Sequence, residues 1–294
     1  MRFALLVMLA ATICAFPEPS AAKEVFRKRS LYRDILVYES GGQRCMKFGI
    51  HDAGRQSCIS LSNPERLVFD YTRMLLGALY INPNPRRILV IGLGGGSVPG
   101  ALQALLPAAT IDCVEIDPAV AEVAAAFFSF QPARNTKLHF QDGRVFVKRA
   151  AQKQSKYDLI ILDAFDHMYV PEHLLTKEFL GEVRTLLSAD GVLAANTFSS
   201  SRLYDSESAT YSSVFGRFFN LKSDNRVILA TKGSLPTRES LGRNADAIEA
   251  QFRRLGTGRD SLLSMFSPDV KWPAGTRILT DQYSPANLLN GGRY

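Results

Sequence analysis

With 294 residues and 46% hydrophobic content, the chain can bury a full core in one large domain, or in one domain with a small companion. Its net charge of +7 is spread along the sequence, with one short cluster at Arg27, Lys28 and Arg29, and no basic–aromatic interleaving points to nucleic acid. Beyond the N-terminus no apolar run reaches the roughly 18 residues of a membrane span, and His51, His139, His167 and His173 have no metal-ligand spacing and read as ordinary surface or loop residues.

The first 22 residues differ in kind. Arg2 supplies a positive start, Phe3 to Ala15 an apolar segment, and the polar stretch after it ends in Ser20-Ala21-Ala22. Small residues at Ser20 and Ala22 match what a signal peptidase reads, so residues 1–22 are expected to be a signal peptide cleaved before Lys23. The mature protein is then exported, periplasmic or secreted; an uncleaved anchor or a misassigned start codon is the alternative. Cys45 and Cys58 lie in two short segments either side of the turn-like His51-Asp52-Ala53-Gly54. An oxidising compartment would let them pair, and two half-buried free thiols are the competing reading. Cys113 sits mid-strand and reads as an inert core residue.

Residues 23–62 read as short strands. Tyr32–Glu39 and Gln43–Phe48 flank Ser40-Gly41-Gly42, a hairpin signal. Asn63-Pro64 opens a helical pattern, with Leu67, Val68, Tyr71, Met74, Leu75 and Leu79 at helix spacing, and Pro83 and Pro85 end it. From Arg86 strands alternate with helices. Strand Ile88–Ile91 precedes helix Ser97–Leu106, and strand Ile111–Ile116 precedes helix Pro118–Phe128. Strand Lys137–Gln141 leads into a helix near Asp142-Gly143, and strand Tyr157–Leu162 ends at Asp163. Helix Glu172–Leu187, strand Val192–Asn196, helix Ser206–Phe218 and strand Arg226–Ala230 complete the series. This order predicts a parallel sheet covered on both faces. One more helix, Arg238–Leu255, opens a loop-rich tail.

In an open α/β sheet ligands bind at the carboxyl ends of the strands. Four such ends carry useful groups here. The first is the loop Gly92, Gly94, Gly95 and Gly96; the others are Glu115, Asp142 with Gly143, and Asp163. The glycines let the backbone approach a ligand, and an acid about 20 residues on can hold a ribose. A carboxylate at Asp142 can accept from an adenine amino group. An adenosine-containing ligand follows.

The set GLGGG (92–96), VEID (114–117), QDG (141–143) and LDAFD (162–166), with Phe69-Asp70-Tyr71 upstream, resembles the spermidine synthase, or polyamine aminopropyltransferase, family. The resemblance implies an α/β fold, a Rossmann-like S-adenosylmethionine-dependent methyltransferase fold with a small N-terminal β-domain. The chain then divides into a signal peptide (1–22), an N-terminal β-hairpin domain with its linking helix (23–80), a nucleoside-binding catalytic domain (81–235) and a C-terminal helix and tail (236–294). Family members move an aminopropyl group from decarboxylated S-adenosylmethionine to an amine, with no permanently bound cofactor and no metal, and are often dimers or tetramers.

Carried over residue by residue, the resemblance makes Glu115 the ribose acid and Asp142 the adenine acid. Asp163 becomes the base for the attacking amine, Asp166 the acid that holds the amine, and Tyr71 the residue that orients it. Gly95 stands where the family keeps an aspartate for the aminopropyl group. That leaves room for intact S-adenosylmethionine, so a methyltransferase is the alternative, and a non-catalytic exported nucleoside-binding protein is a third reading. Arg73, beside Tyr71, would disfavour a polycation if it faced the amine. Phe165, Met168 and Tyr169 are candidates for an apolar lid, and Asp281 and Tyr283 for an approach from the tail.

Overall fold

The computed structural model describes residues 22–49, 54–165, 170–198 and 202–290. The described residues open with four antiparallel strands in sequence order, β1 (Lys23–Arg29), β2 (Asp34–Ser40), β3 (Gln43–Phe48) and β4 (Ser57–Ser60). Gly41 and Gly42 turn the β2–β3 hairpin with φ of 56° and 72°, a left-handed pair that suits the tightest hairpin turns. Cys45 and Cys58 stand opposite each other on β3 and β4 and are joined by a disulfide. With the cysteines 13 positions apart, reduction is expected to cost about 3 kcal/mol of stability. Thermal melts with and without reductant check this; equal midpoints would contradict it. Cys113 is fully buried, and burial pushes its thiol up to about 12, so it is an inert core residue at neutral pH.

The linking helix starts later than its periodicity predicts. Helix α1 runs Asp70–Leu76, and a short α2 (Ala78–Ile81) follows across Gly77. Leu67 is instead extended, bridging Ile59 and donating its N–H to Leu255 O at 3.0 Å. Tertiary pairing outcompetes the helical pattern there.

A seven-stranded sheet forms the rest. In chain order its elements are β5 (Arg87–Ile91), α3 (Ser97–Leu105), β6 (Thr110–Glu115), α4 (Pro118–Phe127), β7 (Thr136–Phe140), α5 (Gly143–Gln152) and β8 (Tyr157–Leu162). A 3-10 turn (Glu172–Leu174), α6 (Lys177–Leu186), β9 (Leu187–Phe198), α7 (Leu203–Phe215), β10 (Phe219–Lys222) and β11 (Asn225–Thr231) follow, and then α8 (Arg238–Arg254), α9 (Arg259–Ser264) and α10 (Ala286–Asn290). The strand order is β10-β11-β9-β8-β5-β6-β7.

The all-parallel expectation is corrected at one edge, where β11 runs antiparallel to both β9 and β10. Only Ser223 and Asp224 separate β10 from β11, and a parallel crossover needs a dozen or more residues, so a hairpin is the sole solution. The helix expected over Glu172–Leu187 begins at Lys177, where the Thr176 hydroxyl accepts the Phe179 N–H at 3.2 Å.

Two apolar layers cover the sheet. One joins Met74, Leu75, Leu79, Val98, Leu102 and Phe252 to Ile88, Val90 and Ile161, and the other joins Phe146, Val147, Phe179, Val183 and Tyr211 to Leu89, Ile160 and Leu193. The small sheet docks on α4 through Ile35, Val37, Met46 and Ile59 against Val120, Val123 and Phe128. That docking brings the end of β3 at Phe48 and the start of β4 at Ser57 to the carboxyl ends of the large sheet. Among the described residues no helix is long and apolar enough to cross a membrane.

Candidate active site

From β5 the chain winds outward through β6 and β7, then returns to place β8 on the other side of β5. The crevice above β5 and β8 is the switch point where such sheets bind ligands. A cavity of ≈ 260 Å³ opens there. Its floor is made by Gly92, Leu93, Gly94, Glu115, Asp142 and Asp163, and its roof by Arg33, Phe48, Gln56 and Ser57 of the small sheet with Tyr71 and Thr72 of α1.

The glycine loop owes its composition to close approaches. Gly92 has φ 100°, and a β-carbon there would lie 2.1 Å from Asp163 O, so only glycine lets β5 and β8 end side by side. Gly94 lines the cavity, whereas Gly95 and Gly96 are not among its walls. A β-carbon on Gly96 would meet Phe130 at 2.3 Å, and one on Gly95 would meet Ser57 Oγ at 2.5 Å. The room expected at Gly95 is therefore filled by Ser57. Gly143 lines the cavity at the start of α5, where a β-carbon would meet Ile91 Cγ2 at 2.6 Å.

Glu115 ends β6 with both carboxylate oxygens engaged by backbone. Leu93 N–H donates to one at 3.1 Å and Asp117 N–H to the other at 3.0 Å. Burial pushes this carboxyl above its ordinary value, against the pull of those two amides and of Arg33. Each oxygen keeps a second lone pair, so the group can still accept from a diol. Asp142 caps α5, taking the Val145 N–H at 2.9 Å on one oxygen and His173 Nε2 at 2.8 Å on the other. The His173 contact, first among several, holds the Asp142 carboxyl below its ordinary value.

Asp163 sits just past β8, with Asn196 Nδ2 donating to it at 2.9 Å. Burial pushes its carboxyl up to about 7, against the pull of that amide. Tyr71 reaches the same cavity from α1. Burial, and then the charge of Asp163, push its hydroxyl well above the usual phenol range. The structure thus gathers Tyr71, Gly92, Gly94, Glu115, Asp142, Gly143 and Asp163 on one cavity. Asp166, Met168 and Tyr169 lie outside the described residues.

Three expectations change. Arg73 is not on the cavity wall; its guanidinium donates to Leu67 O and pairs with Asp70, so it does not repel a cation in the site. Asp281 stops short of the cavity and clamps Arg144 with two bonds of 2.7 Å. Tyr283 is covered by Arg277, whose guanidinium carbon lies 3.3 Å from the ring centre. Phe165 does line the cavity. The residues not foreseen are Asn196, His173 and the part of the roof that the small sheet supplies. Asn196 closes the strand expected over Val192–Asn196, which lies within β9 next to β8, so the strand-end rule could have found it, whereas His173 and the small-sheet part of the roof depend on loop and sheet docking. Among the described residues no group of three His, Cys, Asp or Glu side chains could hold a metal.

Comparison with known proteins agrees with this geometry. The spermine/spermidine synthase domain matches residues 68–222. A polyamine aminopropyltransferase of Vibrio vulnificus is 46% identical over 293 residues, covering 97% of this chain and 98% of that one. A structure described as a probable spermidine synthase from Corynebacterium glutamicum superposes with a TM-score of 0.67 at 18% identity, over 87% of this chain and 96% of that one. Human methyltransferase-like protein 13, solved with SAH, superposes with a TM-score of 0.57 at 26% identity, over 63% and 93%. Full-length similarity, a matching domain and a shared fold converge: the chain belongs to the spermine/spermidine synthase family, on a Rossmann-like methyltransferase fold with a small N-terminal β-domain.

Proposed function

We propose that this chain is a polyamine aminopropyltransferase, moving an aminopropyl group from decarboxylated S-adenosylmethionine to an amine. One observation carries the mechanism: a half-buried carboxylate, Asp163, faces the cavity together with Tyr71, Glu115 and Asp142, and desolvation pushes it up to about 7. In this reading Glu115 accepts from the ribose hydroxyls and Asp142 from the adenine amino group. The sulfonium then lies toward Asp163. An alkylammonium has a pKa near 10 by analogy with lysine and is no nucleophile until it loses a proton. Asp163 takes that proton, and Tyr71 and Asp166 position the nitrogen. The lone pair attacks the methylene bound to sulfur, the C–S bond breaks, and its electrons go to sulfur, releasing neutral methylthioadenosine. Thioether departure needs no acid. A base whose carboxyl titrates near neutrality suits proton transfer at that pH.

Methyl transfer from intact S-adenosylmethionine is the second reading, favoured by the likeness to a human methyltransferase solved with SAH. Offering the protein decarboxylated donor with a panel of diamines and triamines tests the first. An amine heavier by one aminopropyl group supports it, and no such product with any amine would overturn it.

We also propose that the mature protein lies outside the cytoplasm, a reading that the leader pattern at residues 1–22 and the Cys45–Cys58 disulfide support. Intact mass of the secreted form, unreduced, reads both: a chain starting at Lys23 without two thiol hydrogens is expected, and a chain retaining Met1 with free thiols would contradict the placement. A homodimer is the assembly we expect from the family resemblance, and sedimentation reads it directly.

A further inference from the structure

The 3-10 turn Glu172–Leu174 brings His173 against the donor side of the cavity. Asp142 Oδ1 is already committed to the helix cap, and Oδ2 is the oxygen that meets His173 Nε2 at 2.8 Å. A carboxylate only accepts, so the imidazole donates through Nε2–H. Donors from two different elements thus fix the plane of one carboxylate.

The turn itself is held in a frame. Arg144 Nη1 donates to His173 O at 3.4 Å, and the same guanidinium is clamped by Glu182 and Asp281. Glu172 Oε1 accepts from the backbone N–H of Asn287 at 3.1 Å and from its amide at 3.2 Å, while Ser284 Oγ donates to Glu172 O at 3.0 Å. The tail, which does not reach the cavity, therefore positions the histidine that does.

Resting on the donor assignment above, we propose that His173 is a positioning residue that holds Asp142 as a fixed acceptor and sets the preference for a 6-amino purine in the donor. The chemistry follows from the purine edge. Adenine presents an amino donor at position 6, where hypoxanthine presents a carbonyl acceptor. An acceptor-only group discriminates between them only if it is charged and cannot turn away. The depressed carboxyl of Asp142 agrees with this, and His173 is the largest cause of that depression.

The experiment compares wild type, H173A, H173Q and D142N in steady-state kinetics with decarboxylated S-adenosylmethionine and a saturating amine. Dissociation constants for methylthioadenosine and methylthioinosine are measured by calorimetry alongside. H173A is expected to raise the donor KM roughly tenfold, the worth of one charge-assisted hydrogen bond, with kcat and the amine KM within about twofold. The ratio of the two dissociation constants should narrow by a similar factor, and H173Q, whose amide can donate, should recover most of both. An unchanged donor KM and ratio in H173A, with D142N impaired, would overturn the role of His173 alone. A uniform loss in kcat and both KM values with a lowered Tm would mark a structural role and overturn it too. An unaffected D142N would remove adenine from Asp142, and the donor assignment with it.

Discussion

Asp163→Asn should lower kcat by about 10²–10⁴-fold, the usual worth of a positioned base, while donor affinity stays within about twofold. The pH dependence gives this substitution a signature. Below pH 7 the buried carboxyl of Asp163 keeps its proton and cannot accept another, so kcat/KM should climb as pH rises through about 7. The Asn variant should lack that limb. Stability moves the opposite way. Burial pushes the native carboxyl up to about 7, against about 4 in the unfolded chain. Between those values the native state holds a proton that the unfolded state has released. By linkage the contribution of this group to stability falls as pH rises over that window, and the deficit is complete above about pH 7. Asn carries no charge at any pH and removes the deficit. The Asn variant should therefore melt higher than wild type at about pH 8 and level with it near pH 4. Loss of turnover with a gain in Tm separates a catalytic carboxylate from a structural one. Retained turnover would take Asp163 out of the reaction.

Glu115→Gln is expected to act mainly on donor binding. The Glu115 oxygens accept from Leu93 N–H and Asp117 N–H, so the carboxylate ties the glycine loop to the start of α4. A glutamine must turn an amide donor toward one of those N–H groups, and it offers the ribose one acceptor fewer. Two weakened bonds to a formerly charged group correspond to about a hundredfold rise in donor KM, with kcat at saturating donor within about tenfold. Initial rates over a donor titration read this directly. An unaltered donor KM would place the ribose elsewhere.

The parts of this site that were legible in the sequence are those set by local pattern. Gly92, Glu115, Asp142 and Asp163 each stand at the end of a strand legible in the sequence, and the carboxyl-end rule brings such positions together whatever the helices between them do. The illegible parts depend on elements distant in the chain. Ser57 closes the space at Gly95 because the small sheet docks on α4, a packing of Ile35, Val37 and Met46 that no motif announces. Arg73 looked like a repulsive charge beside Tyr71 until Asp70 and Leu67 O claimed it. Leu67 fitted a helix by spacing yet pairs with Ile59 as an isolated bridge. Strand β10 escaped notice because four residues between a helix and a hairpin leave too short a pattern to read.

The most direct measurement offers wild-type protein equal concentrations of S-adenosylmethionine and its decarboxylated form with a diamine, and identifies the nucleoside released. Methylthioadenosine, formed in step with an aminopropylated amine and lost in Asp163→Asn, is the predicted result. Adenosylhomocysteine as the main product, or no nucleoside product at all, would contradict it.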